Sequence, residues 1–256
     1  MNSEPAVIVV GSGKGGVGKS VLSVMLAWTA AAQGRRVLLV DGDENLANLH
    51  LLLGIRPAAR HDAVLYGEVA PPDLLRSIAE NLWLLPGDSG AETLQVLGAV
   101  DRARLSHQLS TVYDEFDLVI VDAGAGIESV VRAASLRASR LVVVTMPEPA
   151  ALADAYALMK LVHLQLPTLP LDLLVNRCEN AEEGRAVFDR LASACERFLR
   201  RGVRFLGAVP EDAAVRRAVR DPARCLARLA ASDAARTLRE GVLDRMELPE
   251  SIRSMG

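Results

Sequence analysis

Lysine is nearly missing from this chain. It occurs only at Lys14, Lys19 and Lys160, and every other strongly basic residue is arginine. That bias is a property of the whole composition, and it makes two lysines five positions apart conspicuous. Aromatic residues make up 4% of the chain, too few to provide stacking platforms for a single-stranded nucleic acid. The three cysteines, Cys178, Cys195 and Cys225, form no C-x-x-C pair, which argues against a zinc site or a redox couple and fits a reducing cytoplasm. No apolar run approaches the ~18 residues of a membrane span. The opening MNSEPAVIVV has no basic n-region and does not read as a secretory signal. The formal net charge of −3 provides no global field toward nucleic acid or an anionic membrane.

Half of the 256 residues are hydrophobic, enough for one large α/β domain with a substantial core. Short, unbroken Val/Leu/Ile runs at 6–11, 35–41, 81–87, 116–126, 140–149, 171–177 and 203–212 read as buried parallel strands. Helical spacing fills 21–34, 91–110, 127–138, 150–163, 181–201 and 212–245. Strands alternating with helices predict an α/β fold, a mostly parallel twisted sheet with helices on both faces. Without repeats, low-complexity tracts or linkers, residues 1–256 are expected to form one domain, with 232–256 as a C-terminal helix and tail at its periphery. Ligands of such sheets sit beyond the carboxyl ends of the strands. Asp41 and Asp43, Asp122, and Asn176 all fall at such ends.

Residues 13–20 complete the pattern G-x-x-x-x-G-K-[ST] between a predicted strand and a predicted helix, the context that a phosphate-binding loop requires. Gly13, Gly15, Gly16, Val17, Gly18 and Val21 are expected to present backbone to phosphate oxygens at the positive end of the helix. Lys19 is expected to meet the β- and γ-phosphates and Ser20 to hold Mg²⁺. Asp122 ends an apolar strand as a Walker B aspartate does, holding Mg²⁺ through water. The small residues after it, Gly124 and Gly126 among them, suit a switch loop that senses the γ-phosphate. Of Asp41 and Asp43, one carboxylate orients the attacking water and the other caps a helix; Asp41 is the better cap, although spacing alone does not choose. The strand ending Asn176-Arg177-Cys178-Glu179 lacks the N-K-x-D of a GTPase, which favours ATP, with the Asn176 amide reading the adenine edge.

The stretch KGGVGKS resembles the deviant Walker A box of the MinD/ParA class of P-loop ATPases. DGDENLANLHLLLGI (41–55), VDAGAGIESVVRAA (121–134), VVVTMPEPAALADAYALMKLV (142–162), VNRC (175–178) and FLGAVPEDAAVRRAV (205–219) are similar to the flagellar-number regulators known as FlhG, FleN or YlxH. The resemblance implies a slow, dimer-dependent ATPase in which Lys14 reaches the partner subunit's phosphates. It makes Asp43 the water-activating residue and Asn176, Pro210 and Glu211 the adenine-flanking positions. It also implies ATP and Mg²⁺ as cofactors, an ATP-dependent homodimer, and flagellar switch components, a flagellar transcription regulator or an FlhF-type GTPase as partners. Only MNSEP precedes the first strand here, where the family often carries an FlhF-stimulating extension. Asn45 stands at a usual glycine of the family and His50 at a usual aspartate, the latter read as an exposed helix residue.

Two further outputs are open. A partition ATPase of the ParA type acts through non-specific DNA binding, and 181–245 hold 14 arginines against 10 acidic residues, but interspersed. A cytoplasmic protein that visits the inner face of the membrane in its ATP state would use an amphipathic terminal helix. Leu238, Val242, Leu243 and Met246 have that spacing, on a helix that lacks a lysine-rich face and contains Gly241. An iron–sulfur carrier would need paired cysteines near the switch region, where there are none.

Overall fold

The computed structural model describes residues 4–43, 47–57, 59, 61–87 and 98–246. Asn45, the predicted helix before residue 98 and the last ten residues lie outside them. Eight strands run β1 (Ala6–Gly11), β2 (Val37–Gly42), β3 (Arg76–Ala79), β4 (Leu82–Leu85), β5 (Leu118–Ala123), β6 (Arg140–Thr145), β7 (Leu171–Cys178) and β8 (Arg204–Pro210). They form one sheet in the order β3-β4-β2-β5-β1-β6-β7-β8, parallel except for β3, which pairs antiparallel with β4. The helices are α1 (Lys19–Ala32), α2 (Leu49–Leu52), α3 (His61–Leu65), α4 (Ala99–Ser110), α5 (Ile127–Arg137), α6 (Pro149–Gln165), α7 (Ala181–Leu199), α8 (Ala213–Ala218), α9 (Cys225–Ala230) and α10 (Asp233–Thr237).

Side-chain alternation along β1 sorts the two faces. Ile8 and Val10 join a core with Leu22, Met25 and Leu26 of α1, while Val7 and Val9 join one with Val130 of α5 and Leu158 of α6. Both faces are therefore apolar, which is why the central strands read as unbroken hydrophobic runs. β1 lies between β5 and β6, where the strand order reverses. A crevice opens at such a switch point, beyond the strand ends, and the loop after β1 enters it.

At the other end of the sheet Asp172, fully buried on β7, accepts hydrogen bonds from Arg140 at 3.1 Å and Arg204 at 2.9 Å, tying the starts of β6, β7 and β8 together.

Two expectations are revised. The predicted helix over 212–245 is a chain of short pieces: Pro222 opens a 3-10 turn, Ser232 caps α10 by accepting from the Ala235 amide, and a π-helical turn, Leu238–Val242, contains Gly241. Its apolar residues Leu238, Val242, Leu243 and Met246 are 0–3% exposed against α1 and the sheet, so these four offer no lipid-facing stripe. His50 is buried in α2, with burial lowering its pKa, rather than lying on an exposed face. No helix among the described residues is long and apolar enough to cross a membrane.

Candidate functional site

The loop from Ser12 to Gly18 turns from β1 into α1. Gly16 and Gly18 take φ of 83° and 90°, the left-handed region that side chains disfavour. Gly18 is the N-cap of α1, whose first turn holds no acidic residue, leaving the positive helix end uncompensated. Lys19 is 9% exposed, and its ammonium lies 2.8 Å from Asp122 Oδ1 at the end of β5. Ser23, one turn further along α1, donates to the same oxygen at 3.1 Å. A buried charge needs a partner of opposite sign, and here each is the other's.

An open cleft with about 710 Å³ of space lies against this loop. Gly15, Gly16, Gly18, Lys19, Ser20 and Val21 line it from the loop and the start of α1, and Asn176, Pro210 and Glu211 line it from the ends of β7 and β8. That size suits a nucleotide. Asp43 borders the cleft, and Gly124 lies so close that a Cβ there would stand 3.1 Å from Asp43 Cγ. The predicted water-positioning and switch residues thus meet. Six predicted residues lie off the cleft wall, Lys14, Asp122 and Gly124 among them. Val17 is buried beneath the loop, Gly13 packs against the backbone of Asp154 on α6, and Gly126 is the N-cap of α5.

Asp41 has the capping geometry. Its Oδ2 accepts from the Asn48 and Leu49 amides at the start of α2, both at 2.9 Å, and its Oδ1 from the Asp43 amide at 3.3 Å. It sits in register with Asp122 on the neighbouring strand. Burial, with a further push from Asp122, raises its pKa to about 6 against the pull of the three amides.

Lys14 does not line the cleft; its ammonium lies 3.4 Å from Glu148, the N-cap residue of α6. Asn176 donates its amide to the Val17 carbonyl at 2.8 Å. Glu211 is held by Arg177, at 3.7 Å, and by Arg216, and all three border the cleft. Ser23, Glu148, Arg177 and Arg216 are positions that reading the sequence missed. Of these only Ser23 had a local signal, four residues after Lys19 on one helix face. The cysteines are buried singly, and burial pushes Cys178 and Cys195 up to about 11, making inert thiols.

A phosphate loop at the switch point of a parallel sheet, with a lysine–aspartate pair at its centre, defines a P-loop nucleotide-hydrolase fold. The chain belongs to the ParA/MinD family of P-loop NTPases: the ParA family model, described as NUBPL iron-transfer P-loop NTPase, matches residues 4–244. It is 36% identical to the antiactivator FleN of Pseudomonas aeruginosa over 83% of this chain and 76% of that protein. It is 33% identical to the flagellum site-determining protein YlxH of Helicobacter pylori over 84% of this chain and 72% of that one. Among solved structures, the septum site-determining protein MinD of Pyrococcus horikoshii, complexed with Mg-ADP, is 26% identical with a TM-score of 0.69, covering 88% of this chain and 94% of that chain. As to the iron transfer in the family description, no group of three His, Cys, Asp or Glu able to hold a metal ion occurs among the described residues.

Proposed function

We propose that this protein is an ATP-driven switch that dimerises with ATP and regulates flagellar number or placement. The observation that carries the reading is the buried Lys19–Asp122 pair beside a glycine-walled cleft that Asp43 borders, with Gly124 packed against Asp43. The residues present fit ATP with Mg²⁺. The loop glycines leave room for phosphate oxygens, and α1 brings an uncompensated positive end. Ser20, with Asp122 acting through water, would hold the metal, which supplies charge neutralisation at the phosphates when bound.

The chain's own groups divide the remaining work. Lys19 supplies fixed positive charge, already desolvated and held in place by Asp122, whose carboxylate Ser23 in turn anchors. Asp43 orients the attacking water, and Asp41 fixes the loop that carries it. Asn176, Pro210 and Glu211 bound the base end. Lys14 completes the partner subunit's site, as a cation supplied in trans makes turnover depend on association.

The flagellar output rests on FleN and YlxH and on the PEP…DAYA segment, Pro147 through Ala157. The experiment is ATP turnover measured against protein concentration, alongside molar mass in ATP and in ADP. Turnover per subunit that rises with concentration, with a dimer in ATP alone, is the expected result. Constant turnover per subunit from a monomer would rule out the dimeric switch. Loss of the gene in its host should alter flagellar number or position; unaltered flagella would remove the flagellar output and leave the ATPase.

A further inference from the structure

We propose that Asn176 is a positioning residue for the phosphate loop, tying the base end of the cleft to the loop that grips phosphate. The proposal rests on the ATP reading above and adds a second task to a residue that reading assigns to the base. Asn176 and the loop are 159 positions apart in sequence, yet the Asn176 amide donates to the Val17 carbonyl at 2.8 Å in a buried setting. The next residue of the loop is moulded around the same side chain. Gly18 stands so close that a Cβ at 18 would collide with Asn176 Nδ2, and its φ of 90° already disfavours any side chain. The loop's left-handed turn therefore leans on Asn176 as well as on its own backbone.

Asn176 is aimed there by a local irregularity. The pairing of β7 with β8 breaks register between Val175 and Cys178, and Arg177 takes a left-handed φ of 56°. A non-glycine residue rarely adopts this conformation unless its surroundings enforce it. Glu211 supports it at two points, firmly through its backbone and weakly through an exposed ion pair. Its backbone amide donates to the Cys178 carbonyl at 3.0 Å, and its carboxylate holds the Arg177 guanidinium at 3.7 Å. Arg177 thus turns outward while Asn176, 9% exposed, turns in against the loop.

A primary amide has two N–H donors and one acceptor oxygen. One N–H goes to Val17, leaving an N–H and the oxygen for a base. Removing the side chain takes the donor from the Val17 carbonyl and the wall from Gly18, so grip on phosphate falls even for a ligand with no base. A residue that only reads the base has no such effect.

The test uses inorganic tripolyphosphate beside ATP, with magnesium, on the full chain and on Asn176→Ala. Both ligands are expected to bind about tenfold more weakly to the variant, the loss typical of a buried hydrogen bond. If ATP weakens while tripolyphosphate binds as before, the tie to the loop is overturned and the base-reading role stands. If neither weakens, the tie and the placement of the base at Asn176 both fall. Should Asn176→Ala not fold, Asn176→Leu keeps the volume without donor or charge and is judged by the same outcomes. The kinetic readout is the split between KM and kcat: misplacement of the loop lowers kcat as well as raising KM, whereas loss of base contacts alone raises KM.

Discussion

Lys14 Nζ lies 3.4 Å from Glu148 Oε2, so the early lysine of the glycine-rich loop is engaged within its own chain. Both side chains are more than a third exposed. Exposed pairs of this kind contribute ~0–1 kcal/mol, so the contact restrains Lys14 without preventing its departure. Lys14→Ala is expected to leave the melting temperature nearly unchanged and to keep substantial ATP binding, while turnover that depends on dimerisation disappears. Titration calorimetry and concentration-dependent hydrolysis check this; unaltered turnover would end the role of Lys14 in trans.

Lys19→Ala removes the partner of a carboxylate that is 1% exposed. Breaking a buried pair from one side costs ~3–5 kcal/mol. The variant is expected to lose nucleotide binding and to melt well below the wild type, and Lys19→Ala with Asp122→Asn should regain part of the stability but none of the binding. Normal ATP affinity in Lys19→Ala would refute the assignment of the phosphate loop.

Asp43→Ala is expected to bind ATP, remain dimeric and hydrolyse at least ~10²-fold more slowly, the scale of a lost general base. Single-turnover hydrolysis beside a sizing measurement separates these effects. Full activity in this variant would move the water-positioning role to another residue.

Asp41 links stability to pH. Its folded pKa of about 6 lies above the ordinary 3.8, so the fold favours the protonated form. Its contribution is complete below the unfolded value and is lost as pH rises through about 6, a difference of ~3 kcal/mol. Asp41→Asn is therefore expected to raise the melting temperature at pH 8, on the order of 5 °C, with the gain shrinking toward pH 4. Asparagine has one acceptor oxygen where the carboxylate uses both, so the loop carrying Asp43 should be less well held and turnover slower. A variant less stable than wild type at pH 8 contradicts the argument.

The candidate site was legible where its signal was local. The loop 13–20, the strand-end aspartates and Asn176 could be read because buried parallel strands announce themselves as Val/Leu runs and their ends mark the ligand side. β3 was not legible: Arg76–Ala79 is a four-residue edge strand carrying an arginine and a serine, without an apolar run. The segment 212–245 kept helical spacing across Pro222, Ser232 and Gly241, and only packing shows how these residues divide it. Glu148 under Lys14, and Arg177 and Arg216 around Glu211, are contacts made by folding, with no mark in the local pattern.

The residues after β8 lie along the helix that starts at the phosphate loop. Ser232 Oγ is 3.8 Å from Met25 Sδ, and the Arg239 guanidinium sits over the Trp28 ring at 5.5 Å. This stretch is a strap across the back of α1. Cutting the chain after Pro210 would strip the cover from Leu22, Met25 and Leu26 and loosen the helix that presents Lys19. A shortened protein would fail at its grip on phosphate, although every residue of the loop itself was intact.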